Sequence, residues 1–158
     1  VGAKLYYPDD TIQHAGVIVG IGGVAGHSHK NFPRTSPGYM CRACIAQNLS
    51  ACTAACLMVR RDVFDEVGGL DEDYAVAFND IDFCMKITSA GRRIVFTPYA
   101  ELYHYESKSR GVEDTPEKQA RFVSEVERFK SRWSKELESG DPCYNKNLSL
   151  DSEKFRLA

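Results

Sequence analysis

The chain has 158 residues, 43% hydrophobic and 27% charged, enough for one domain with a single core and an ordinary balance for a globular protein. With a net charge of -2, nothing in the balance points to an electrostatic grip on nucleic acid or on an acidic membrane surface. The longest apolar runs, such as Ala54 to Val59, fall far short of the roughly 20 residues that cross a bilayer.

The opening Val1-Gly2-Ala3-Lys4 runs at once into strand-like sequence, and it reads as a cut through a larger protein. Lys4 to Tyr7 and Ile12 to Val19 predict two strands around the turn Pro8-Asp9-Asp10-Thr11. Gly20 to Gly38 predicts a glycine-rich loop too long to be a mere connector, and a short helix is expected from Tyr39 to Gln47. Ser50 to Val59 is small and apolar without alternation, which predicts a buried central strand. Asp62 to Val67 predicts a short helix stopped by Gly68-Gly69.

Asn79 or Asp80 is expected to cap a helix that runs to Ala90 and stops at Gly91. Ile81, Cys84, Met85 and Thr88 form its apolar face. Ile94 to Phe96 predicts a strand that Leu102 to Tyr105 continues or neighbours after Pro98. Thr115-Pro116 opens a helix to about Leu137. Phe122, Val126, Phe129 and Trp133 form its packed stripe, and Glu125, Arg128 and Lys130 its outer faces. The tail from Cys143 is polar with scattered apolar anchors. This order of elements is mixed α/β.

Cys41-x-x-Cys44 and Cys52-x-x-x-Cys56 have the loose outline of a zinc quartet, but the gap between the pairs is short. A chain with this apolar supply needs no staples, so the six cysteines read as packed free thiols of a cytosolic protein.

The densest chemistry lies in Phe78-Asn79-Asp80-Ile81-Asp82-Phe83-Cys84. Two carboxylates at a helix N-terminus are kept ionised by the dipole and the free amides, and an ionised carboxylate can take a proton from a hydroxyl. The same two residues can equally serve only to cap and charge the helix.

Several ordered blocks resemble family 2 glycosyltransferases. Thr53-Ala54-Ala55-Cys56-Leu57-Met58-Val59-Arg60-Arg61-Asp62-Val63-Phe64 and the turn Gly68-Gly69-Leu70-Asp71-Glu72 resemble the family's acceptor-side segment. Asn79-Asp80-Ile81-Asp82-Phe83-Cys84 resembles its Glu-Asp-x-Asp-x-Cys motif. Gly91 to Pro98 resembles the following strand, and Ala100 to Ser107 resembles its late Tyr-His motif. Ile12-Gln13-His14-Ala15-Gly16 and Gly26-His27-Ser28-His29 are similar to a bacterial cell-surface glycan subgroup.

The resemblance implies a partial GT-A fold, with a mixed sheet and flanking helices and the donor-binding half absent. Residues 1–112 would form the acceptor-side half, and 113–158 a C-terminal helix and tail packed on it. It implies an inverting enzyme moving a sugar from a nucleotide-sugar donor to a glycan, lipid-linked or protein acceptor. Asp80 takes the place of the general base, and Asn79 stands where the family has Glu. Asp82, Asn79, His27 and His29 are expected at the acceptor. His104 is a candidate ligand for the parent's divalent ion, Mn or Mg, and no firmly bound cofactor is expected in this fragment. Asp71-Glu72-Asp73 matches Asp-x-Asp in outline but sits in a turn, so it is not read as the metal motif.

The expected partners are the donor, the acceptor, the missing N-terminal half and a second copy of the chain. The expected location is cytoplasmic, at the inner face of the membrane, and the isolated fragment is expected to be inactive. The alternative is a non-catalytic binding or zinc-stabilised module that reuses the same fold fragment.

Overall fold

The computed structural model describes residues 1–105 and 115–158. The expected boundary between residues 112 and 113, and the end of the late motif at Glu106-Ser107, lie outside the described residues. The fold is mixed α/β. Strands β1 (Gly2–Tyr6), β2 (Ile12–His14), β5 (Gln47–Leu49) and β6 (Ile94–Tyr103) form one sheet in the order β2-β1-β6-β5. β1 runs parallel to β6, and the other two pairings are antiparallel. β3 (Val17–Val19) and β4 (Ala25–His27) make a separate hairpin.

The turn at Pro8-Asp9-Asp10-Thr11 joins β1 to β2 as expected, closed by Tyr7 N–H donating to the Thr11 carbonyl at 2.9 Å. The expected strand from Ile12 to Val19 is broken instead at Gly16, whose φ of 99° lies in the left-handed region. A Cβ there would fall 2.0 Å from Leu49 Cδ1, so the chain turns where only glycine fits. The break sends β3 off to pair with β4, out of the loop expected from Gly20 to Gly38. Only Tyr39–Cys41 forms a 3₁₀ turn where a helix to Gln47 was expected.

β6 is one strand across Pro98. Between Gly2 and Lys4 on β1, the partner advances from Phe96 to Glu101. The extra residues bulge out around proline, which has no N–H for the ladder.

The buried central strand expected from Ser50 to Val59 does not form. Gln47–Leu49 takes the strand position, and Ala54–Cys56 is a 3₁₀ turn capped by the Thr53 hydroxyl, which accepts from Ala55 N–H at 3.3 Å. Short hydroxyl side chains compete for backbone amides in this way, and apolar content alone does not reveal it.

Helix α1 (Arg61–Glu66) ends at left-handed Gly68 and Gly69 as expected. Helix α2 (Asn79–Ser89) is capped by the left-handed backbone of Phe78, not by the side chain of Asn79 or Asp80. Its inner face is Ile81, Asp82, Phe83, Cys84, Met85 and Ile87, broader than the expected stripe.

Thr115 caps helix α3 (Pro116–Arg132) by accepting from Lys118 N–H at 3.3 Å. The expected single helix to Leu137 breaks at Trp133, and α4 (Ser134–Ser139) follows. Phe129 and Trp133 are buried in the main core, whereas Phe122 stays 43% exposed. Glu125, expected on an outer face, is buried. The tail packs Leu148 and Phe155 on Ile18 and Ile21 as a second small core. Among the described residues, no helix is long and apolar enough to cross a membrane.

Candidate functional site

The carboxylates of α2 part company because residues two apart on a helix point about 200° from one another. Asp80 is half-buried at the surface. Its Oδ1 accepts from Ile81 N–H at 2.9 Å and its Oδ2 from Ala54 N–H at 3.1 Å. Asp82 is wholly buried, where its Oδ1 accepts from Trp133 Nε1 at 2.9 Å. Lys86 Nζ lies 3.7 Å from its other oxygen, and Arg132 lies 3.3 Å from Oδ1. A side chain so placed holds helices together. It does not reach the surface where an acceptor was expected.

Asn79 faces the preceding loop. Its amide nitrogen donates to the carbonyls of Asp71 and Tyr74, and its Oδ1 accepts from Asp71 N–H. Glu125 clamps the same loop from α3, accepting from Val76 N–H at 3.0 Å and Ala77 N–H at 2.9 Å. Arg132 and Arg128 pair with Asp71, and Arg128 also with Asp73. This network explains why Asp71-Glu72-Asp73 stays in a turn. It also fixes the entry to α2, and with it Asp80.

The expected histidine pair separates. His29 is buried away from Asp80, with Nε2 accepting from Tyr39 N–H at 3.1 Å and its ring stacked on Phe155. Burial, with Arg42 and Lys4 nearby, pushes its pKa down to about 4. In this structure it is a buried core histidine.

His27 instead joins His14, their Nδ1 atoms 2.9 Å apart and the rings edge to face. His14 is completely buried, and its Nε2 accepts from Thr53 N–H at 3.4 Å. Burial drives its pKa well below the ordinary imidazole value, and the charges of His27 and His104 add to this. His104 lies at the end of β6, its amide donating to the Tyr6 carbonyl at 2.9 Å. Its Nδ1 is buried without a hydrogen-bond partner among the described residues.

The structure thus gathers Asp80, the turn Thr53-Ala54-Ala55, and His14 with His27, with His104 close by. Sequence reasoning reached Asp80, His27 and His104. It missed the part played by His14 and Glu125, because each accepts from amides far away in the chain. A cleft of about 770 Å³ lies elsewhere, lined by Val19, Leu49, Met85, Leu137 and Leu148. It contains none of these groups.

Among the described residues, no group of three or more His, Cys, Asp or Glu side chains is arranged to hold a metal ion. The described residues therefore hold no complete ligand set for the divalent ion expected in the parent. The zinc quartet does not assemble either. Cys41 and Cys44 are exposed, while Cys52 is buried against Cys84, whose Sγ lies 3.5 Å from the Cys52 carbonyl oxygen. Burial pushes both buried thiols up to about 12.

The site is thus that of an α/β protein with an anchored, half-open carboxylate at a helix start. The chain is 58% identical over its whole length to the uncharacterised protein y4gI of Sinorhizobium fredii, of which it covers 17%. It is 35% identical, over 95% of its length, to the O-antigen biosynthesis protein RfbC of Myxococcus xanthus, covering 12% of that protein. Over 59 residues it is 39% identical to the N-acetylglucosaminyl-diphospho-decaprenol L-rhamnosyltransferase of Mycobacterium tuberculosis, which is 37% of the chain and 19% of that relative. The chain therefore spans less than a fifth of the length of each of these relatives. No family model matches it. No solved structure matches it. Relatives named for O-antigen biosynthesis and rhamnosyl transfer support a transferase-related function.

Proposed function

We propose that this chain is the acceptor-side part of an inverting, family 2 glycosyltransferase with a GT-A fold, and that Asp80 is its general base. The observation that carries this is the state of Asp80, a carboxylate open to the surface yet held by two backbone amides. In the proposed step the acceptor hydroxyl oxygen attacks the anomeric carbon of the donor sugar. The bond from that carbon to the nucleoside diphosphate breaks with inversion, and the hydroxyl proton passes to Asp80. The sugar and its nucleotide are bound by the upstream half, and the fragment alone is inactive.

His104, whose Nδ1 has no hydrogen-bond partner among the described residues, is the residue of this chain that would contact a divalent ion held mainly by that half. The relatives favour a deoxyhexose such as L-rhamnose as the transferred sugar and a lipid-linked or polysaccharide acceptor. The parent would then work at the cytoplasmic face of the membrane.

The test is Asp80→Asn in the full-length protein, assayed with nucleotide-activated L-rhamnose and an N-acetylglucosaminyl-diphospho-lipid. Turnover should fall roughly 10²–10⁴-fold while donor affinity holds. Near-normal turnover would remove Asp80 from the chemistry.

A further inference from the structure

We infer that His14 is a positioning residue for Asp80, acting through the turn Thr53-Ala54-Ala55; the link to catalysis rests on the reading of Asp80 above. Three consecutive amides of that turn are each taken by a side-chain oxygen or nitrogen from a different source. Thr53 N–H goes to His14 Nε2, Ala54 N–H to Asp80 Oδ2 and Ala55 N–H to the Thr53 hydroxyl. The middle bond aims the carboxylate, and the outer two decide where the middle amide points.

The tautomer of His14 follows from its partner. An imidazole nitrogen that accepts from an amide carries no proton, so the neutral ring bears its proton on Nδ1. That proton points at His27 Nδ1, 2.9 Å away, which must then be the acceptor and carry its own proton on Nε2. Both His14 contacts are therefore directional, and the ring has no other orientation that satisfies both. Without an acceptor at Nε2, the amide of the nearly buried Thr53 is orphaned, and the turn must rotate to recover a bond. Misplacing a reacting group by about 1 Å can cost on the order of 10²-fold in rate.

Two amide replacements divide the two contacts. His14→Gln can place its Oε1 where Nε2 was and still accept from Thr53. His14→Asn reaches only the Nδ1 position, keeping His27 and losing Thr53. Amide hydrogen exchange in this chain reads the result directly, with Ile94 and Phe96 of β6 as the folding control. We expect Thr53 and Ala54 to exchange at least ~10-fold faster in His14→Asn than in His14→Gln, with the β6 amides equal in both. Unchanged exchange at Ala54 in His14→Asn, or an equal loss in both variants, overturns the proposal.

In the full-length protein, the same pair should split kinetically. His14→Asn lowers kcat with KM for the donor little changed, and His14→Gln restores most of kcat. An active Asp80→Asn variant would sink the catalytic reading while the exchange result stands. An inactive Asp80→Asn beside a fully active His14→Asn would sink the positioning role alone.

Discussion

The indole Nε1–H of Trp133 donates to Oδ1 of Asp82 at 2.9 Å in the interior, tying the end of α3 to the first turn of α2. The bond explains two departures from the sequence pattern at once: the helix breaks at Trp133, and a carboxylate lies buried beside apolar neighbours. Trp133→Phe keeps most of the ring but removes the indole hydrogen bond, leaving Asp82 Oδ1 only its ion pair with Arg132 at 3.3 Å, and should cost about 1 kcal/mol. Trp133→Ala should cost roughly 3–5 kcal/mol. Urea unfolding of both variants measures the difference. A Phe variant as stable as the parent chain would show that the indole hydrogen bond contributes nothing.

Glu125 anchors the loop before α2 through two amides, and each bond to a charged group contributes about 1.5–3 kcal/mol. Glu125→Ala should therefore lower stability by several kcal/mol at most and speed exchange at Val76 and Ala77 more than elsewhere. Glu125→Gln retains one good acceptor and should lie between the two. Uniform exchange changes across the chain would contradict a local clamp.

Acid should weaken the fold in a defined window. His14 and His29 are neutral in the folded chain because burial depresses both pKa values, that of His29 to about 4. The unfolded chain takes up these protons first, near pH 6.5, so it binds more protons than the folded chain below that point. Their contribution is complete above about pH 6.5 and is lost as pH falls, by roughly 1.4 kcal/mol per pH unit for each ring. Carboxylates held low, such as Asp71 by the Asp73 amide, act only at lower pH. Urea midpoints at pH 7, 6 and 5 test this, and a flat profile would refute it.

The cysteines should divide by burial. Cys41 and Cys44 are exposed and should react with a thiol reagent in the native chain. Cys52 and Cys84, with thiols raised to about 12, should react only on unfolding. A chelator should leave the melting temperature unchanged, and a chelator-induced loss of structure would restore the zinc reading.

The sequence by itself determined the elements whose signals are local. Thr115-Pro116 starts a helix, Gly68-Gly69 and Gly91 stop two others, and the turn after Tyr7 closes a hairpin. Helical geometry places Asp80 and Asp82 on different sides of α2, although both were expected at the substrate. Only the tertiary structure decided what those faces meet. Trp133 lies 51 residues from Asp82, Ala54 lies 26 from Asp80 and His14 lies 39 from Thr53. It also decided that His27 pairs with His14 while His29, two residues on, turns into the core against Phe155. Amides and imidazoles take whichever partner the packed chain brings within about 3 Å, and no local pattern of residues encodes that distance.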